Sequence, residues 1–233
     1  QGYGRGGGQK IESDTVVFSG GVFEEKTTGA PVAFLLTNKD FKIADMPELW
    51  RPRPGHADLV GALKYHQGIR PVLERASARE TAMRVAVGAL CKVFLREFSI
   101  GITSHVIQIG GAHIPESAQS LSVAEILKRT QASELNCTSR EAEAVMKAAI
   151  DEARRNKDTL GGKYEVRISG VPIGLGYHVH YERKLDARLA MILMGMQSVK
   201  AVEIGEVTRL ASLPGSQSHD EIFYEGRRGY YHK

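Results

Sequence analysis

The stretch from Arg51 to Leu95 constrains this chain more than any other. Pro52, Pro54 and Gly55 stand directly ahead of His56. Proline fixes its own φ and glycine admits positive φ, so the histidine is expected on a preset turn, held rather than floppy. Asp58 to Tyr65 is expected to form a short helix with Asp58 at its positive end. Ser77-Ala78-Arg79-Glu80 then matches a capping box ahead of Ala82, Val85, Ala86, Ala89, Leu90 and Val93 at helical spacing. The small residues Ala82, Ala86, Gly88 and Ala89 predict a close neighbour, and hence a buried helix. Its N-terminus, with free N–H groups and with Arg75 and Arg79 alongside, is expected to attract an anion.

Other segments read more simply. Residues 1–10 are expected to be a flexible, cationic, glycine-rich loop carrying Arg5. Thr15 to Ser19, Val22-Phe23 and Pro31 to Leu36 predict an antiparallel meander with turns at Gly20-Gly21 and Thr27-Thr28-Gly29. Trp50 is expected to pack as a plug. Ile100 to Ile109 predicts a strand closed by Gly110-Gly111, with His105 as a packed strand histidine. Ser122 to Arg129 and Arg140 to Lys157 predict helices, the second with Glu143 on its charged face and Val145 on its apolar face. Tyr164 to Ser169 predicts a strand, Lys184 to Met196 a second buried helix, and Val199 to Ile204 a further strand. His178 and His180 would share a strand face, but no third ligand is supplied and no metal is expected.

The 233 residues suffice for one sizeable core, and a net charge of +4 is too small for a dedicated nucleic-acid binder. Cys91 and Cys137 make no disulfide framework and fit a reducing cytoplasm. No segment is apolar for long enough to span a membrane.

Arg53-Pro54-Gly55-His56-Ala57-Asp58 and Ser77-Ala78-Arg79-Glu80-Thr81 together resemble chorismate synthase. Gly2-Tyr3-Gly4-Arg5-Gly6, Gly170-Val171-Pro172 with Gly174-Leu175-Gly176, Lys184-Leu185-Asp186-Ala187, Val202-Glu203-Ile204-Gly205 and Gly215-Ser216-Gln217 extend the resemblance in the family's order along nearly the whole chain. It implies an α+β fold, a single-domain β-α-β sandwich with antiparallel sheets around a helical core, assembled as a homotetramer. The implied activity is that of a lyase of the shikimate pathway, in aromatic amino-acid biosynthesis. It eliminates phosphate, trans-1,4, from 5-enolpyruvylshikimate 3-phosphate to give chorismate. The implied cofactor is reduced FMN, which some members regenerate with NADPH.

By the same resemblance His56 is the catalytic residue, protonating the reduced flavin. Arg5, Arg53 and Arg79 would bind substrate. Arg75, Ala76 and Ser77 would contact FMN, as would Gln197 and Ser198. The chain departs from the family pattern at Gly8, often arginine, and Ala76, often serine. It also lacks the Gly-Glu-Ser-His-Gly segment with the other histidine and the C-terminal flavin contacts, so it is expected to be truncated at both ends. Two other readings are a structural or oligomerisation fragment and an RNA-binding module led by the glycine-arginine loop. The 233 residues alone are expected not to turn over substrate, which an assay of chorismate formation with chemically reduced FMN would check.

Overall fold

A computed structural model describes residues 3–4, 12–39, 45–118, 120–227 and 229–232. Helices and small antiparallel sheets are mixed along the chain, which is the expected α+β class. The chain divides into two compact units, Gln1–Val171 and Pro172–Lys233.

The first unit opens with a ribbon in place of the expected meander. β1 (Val16–Gly20) pairs with β4 (Ala33–Leu36), and β2 (Val22–Phe23) pairs with β3 (Lys26–Thr27) inside that outer pair. The inner turn is made by Glu24 and Glu25, both at positive φ (46° and 62°), the two-residue geometry that matches strand twist. Glutamate rarely occupies such a turn, so the pattern of glycines pointed elsewhere. Gly21 is required where it stands: its φ is +76°, and a Cβ there would lie 2.4 Å from the Pro31 carbonyl oxygen. Trp50 is no plug; it is 85% exposed.

α1 (Asp58–Tyr65) forms as expected, and an unforeseen α2 (Ile69–Arg75) follows it. Pro71 is tolerated in the first turn of α2, where no intrahelical N–H bond is needed. The two helices pack closely because position 61 is glycine; a Cβ there would lie 2.3 Å from Val72 Cγ1. α3 (Glu80–Arg96) is the long apolar helix, but none of its residues is buried. The expectation of burial fails because, among the described residues, the helix touches little beyond the start of the strand that follows it and most of its apolar face is left uncovered. A Cβ at Gly88 would meet nothing within 4 Å, and Val85, Val93 and Phe94 are exposed.

The core lies further along. β5 (Gly101–Ile109) is the centre of a sheet ordered β6-β5-β7, with β6 (Ala112–His113) and β7 (Gly162–Ser169) both antiparallel to it. α4 (Val123–Thr130) and α5 (Arg140–Arg155) pack on this sheet. Ile126 and Met146 are fully buried among Ile114, Leu121, Leu135 and Cys137. α4 carries a complete capping box, the Ser122 hydroxyl and the Glu125 carboxylate each serving the other's backbone N–H. In α5 the buried face is Ala142, Glu143 and Met146, while Val145 is exposed, so the predicted faces are rotated. Glu143 turns inward because its Oε1 accepts the N–H groups of Glu134 and Leu135 at 2.9 and 3.2 Å. Burial pushes its pKa up, but the Ser133 hydroxyl, those two N–H groups and Lys147 outweigh it and hold the carboxyl below its ordinary range.

The second unit holds α6 (Leu185–Met194), α7 (Val207–Leu210) and the hairpin of β8 (Ile222–Glu225) with β9 (Gly229–His232). α6 was expected to be central, yet none of its residues is buried and Met191 is exposed. Residues 199–203 form no strand, since a β-run becomes one only when a partner ladder meets it. His178 and His180 lie on no strand either; both rings stack on Tyr177. Among the described residues no group of side chains is arranged to hold a metal, and no helix is long and apolar enough to cross a membrane.

If the sheet–helix layer is the core, Met146→Ala should destabilise the chain by about 2–5 kcal/mol. Val145→Ala, one residue along but exposed, should stay within about 0.5 kcal/mol. Chemical denaturation followed by circular dichroism would measure both.

Candidate functional site

The loop from Arg53 to Asp58 is closed by one carboxylate. Asp58 Oδ2 accepts from the Arg53 backbone N–H at 3.0 Å and from Arg53 Nε at 2.9 Å, while Oδ1 accepts from Nη2 at 3.1 Å. Asp58 is only 1% exposed, and the Arg53 side chain is about half exposed at 48%. Between them Gly55 takes φ +73° and the His56 N–H donates to the Arg53 carbonyl at 3.3 Å. His56 thus sits exposed on a turn pinned at both ends, as the two prolines and the glycine led us to expect. The Arg53 guanidinium, then its backbone N–H, hold the Asp58 carboxyl down at about 2, well below the ordinary aspartate range. The same bond pushes the Arg53 guanidinium further up.

Arg75, Ser77 and Arg79 come together around a cleft of about 610 Å³, lined also by Pro71, Glu74 and Glu80. Arg75 closes α2. Its side chain is largely exposed, and its 3.3 Å contact with Glu80 is a weak surface pair. Arg79 is held far more firmly. Its Nη1 donates to Asp14 at 2.5 Å, and its Nη2 to Glu12 at 3.1 Å and to the Thr37 carbonyl at 3.2 Å. A ligand would therefore share Arg79 with two carboxylates. These ties join the lead-in to β1, the exit of β4 and the head of α3.

The head of α3 differs from the expected capped start. The helix begins at Glu80 with Arg79 in the cap position, and the Ser77 hydroxyl accepts from the Arg79 N–H. The N–H groups of Ser77, Glu80, Thr81 and Ala82 already donate to carbonyls three residues back. A tight turn joining α2 to α3 consumes the donors that were expected to be free for an anion. Positive charge at the cleft comes from the arginine side chains instead.

Arg5 lies outside the described residues. Gln197 and Ser198 follow α6 in the second unit, with Ser198 at φ +69°. Three partners were missed from sequence: Asp58 for Arg53, and Glu12 with Asp14 for Arg79. The only available signal was an aspartate five residues after an arginine across a Pro-Gly turn.

The Arg53–Asp58 link makes a pH prediction. Because the folded carboxyl is depressed, its stabilising contribution is present above the ordinary aspartate pKa and is lost as pH falls through about 2. A carbon-detected titration should place the Asp58 midpoint near that value, and Arg53→Ala should return it toward the ordinary range. A wild-type midpoint at the ordinary value would refute the link.

A sequence profile of the family described as chorismate synthase matches residues 1–231. A chorismate synthase of Desulforamulus reducens is 47% identical over 243 residues, covering 99% of this chain and 62% of the relative. One of Geobacter sulfurreducens is 46% identical, covering 100% of the chain and 64% of the relative. A solved crystal structure of chorismate synthase superimposes with a TM-score of 0.84 at 38% identity, covering 97% of this chain and 66% of the other. The chain spans a little under two thirds of the length of these relatives. With a match along nearly its whole length in both sequence and fold, this chain belongs to the chorismate synthase family.

Proposed function

We propose that the chain supplies one part of a site for the trans-1,4 elimination of phosphate from 5-enolpyruvylshikimate 3-phosphate. The reaction breaks one C–O and one C–H bond, forms a C=C bond, and releases phosphate and a proton. The observation that carries this reading is the Arg53–Asp58 loop, which fixes a guanidinium and an exposed histidine on one short turn. Arginine is suited to phosphate and carboxylate because its planar fork can donate two parallel hydrogen bonds. Stabilising the charge of a departing phosphate is the kind of electrostatic work such a site must do.

Reduced FMN is the cofactor in this reading, supplying its reducing character to a reaction without net redox change; NADPH as its reductant belongs to the same proposal. Arg75, Ser77 and Arg79 can donate to a phosphate-bearing ligand in this cleft, where they share the lining with the Glu74 and Glu80 carboxylates. Arg75, Ala76 and Ser77, and in the second unit Gln197 and Ser198, are the proposed FMN contacts. Arg53, Arg79 and Arg5 are the proposed substrate cations. His56, exposed on the turn and close enough to the Asp58 carboxylate to feel its charge, is the proposed proton donor. A homotetramer in the cytoplasm completes the reading, supported by the apolar faces that α3 and α6 leave open.

The test places this chain in the frame of a relative. A chimera in which it replaces the matching residues of the Desulforamulus reducens protein should form chorismate anaerobically with chemically reduced FMN. His56→Ala in that chimera should lower turnover by about 100-fold or more, the usual scale for a lost acid–base group. A folded chimera without turnover, beside an active parent, would overturn the proposal.

A further inference from the structure

We propose that Asp58 is a positioning residue: its buried carboxylate orients the Arg53 guanidinium so that the outer edge of the fork receives an anionic group of the ligand. This deepens the elimination reading above and rests on it, by adding a residue to which that reading gives no role.

The geometry is unusual for an aspartate at a helix start. Asp58 is the first residue of α1, where a carboxylate ordinarily serves the helix's own free N–H groups. Here it makes no capping bond and gives both oxygens to Arg53. It is also held in place from behind. Asp58 and Gly61 are the buried residues of α1, one turn apart on one face, and Gly61 packs directly on Val72 of α2. The carboxylate is therefore anchored by the α1–α2 contact rather than carried on a mobile loop.

Arg53 inherits that rigidity. Nε and Nη2 are bound inward, and Nη1 has no partner among the described residues although the side chain is about half exposed. An arginine fixed in this way has surrendered its rotamer freedom before a ligand arrives, so less is lost on binding. The same carboxylate accepts the Arg53 backbone N–H, so it also fixes the turn that carries His56.

Charge and position make opposite predictions here. Asp58 is negative and lies against Arg53, so by Coulomb attraction alone its neutralisation should tighten anion binding. If position dominates, neutralisation should weaken it. Binding of inorganic phosphate and of 5-enolpyruvylshikimate 3-phosphate to the 233-residue chain would be followed by NMR on the Arg53 Nε–H and His56 ring signals. Asp58→Asn should weaken binding about tenfold, the scale of one lost charge-assisted bond, in a chain that keeps its folded circular-dichroism spectrum although its thermal midpoint falls. Arg53→Ala should weaken it at least as much, and the double variant no further. Arg53→Lys, which keeps the charge and loses the fork, should match Asp58→Asn and serves if that variant does not fold.

Equal or tighter binding by Asp58→Asn, additive losses in the double variant, or wild-type affinity in Arg53→Lys would each overturn the proposal. So would a wild-type chain in which neither ligand moves the Arg53 signal. Phosphate binding at Arg53 without binding of the organic substrate would sustain the role of Asp58 and count against the elimination reading.

Discussion

Ile126 of α4 and Met146 of α5, both fully removed from water, hold the two helices on the β6-β5-β7 sheet. They are the centre of a buried apolar cluster that also takes in Ile114, Leu121, Leu135 and Cys137. β5 is flanked by β7 on one side and by β6 with the Cys137 bridge on the other. The two apolar side chains therefore fix the position of a strand that in turn fixes its neighbours. Dense contact of this kind tolerates little change in volume, whereas the exposed face of the same helix tolerates much.

Around that layer, carboxylates drawn inward tie distant segments together. Glu143 closes the Glu134–Leu135 turn onto α5, and Glu165 meets buried His105 across the β5–β7 ladder at 2.7 Å and Arg167 of its own strand at 2.9 Å. Asp58 closes the Arg53 loop, and Glu12 with Asp14 holds Arg79. Burial alone would raise the pKa of such groups. For Glu143 and Glu165 the bound donors reverse that effect and keep the carboxyls ionised. The candidate site is built from the same device, with a carboxylate on the inner side of each of the two arginines that matter most.

Legibility in the sequence followed the range of the cause. The turn before His56 was readable because Pro52, Pro54 and Gly55 act on their own backbone. α1, α4, α5, β5 and β7 were readable from period and propensity. The ribbon was misread because two glutamates accepted positive φ at its tip, and the cap of α3 was displaced because a turn from α2 ran straight into it. α3 and α6 were read correctly as helices and incorrectly as buried. Periodicity records that a face is apolar, not what meets it. Phe223 against Tyr231 and Tyr224 against Tyr230 knit a hairpin whose pairing no local signal announced.

What the sequence by itself determined is the family and the chemistry available to it. Motifs in a fixed order place His56, Arg53, Arg75 and Arg79 in the chain, and backbone restraint presents the histidine. Only the tertiary structure decided how those charges are used. It set Asp58 behind Arg53, gave Arg79 to Glu12 and Asp14, and spent the N–H groups at the head of α3 on a tight turn. The physical reason is that a local turn depends on neighbouring dihedral angles, which the residues fix directly. A salt bridge or an occupied donor depends on which surfaces meet, and here Arg79 finds Glu12 across 67 positions of sequence.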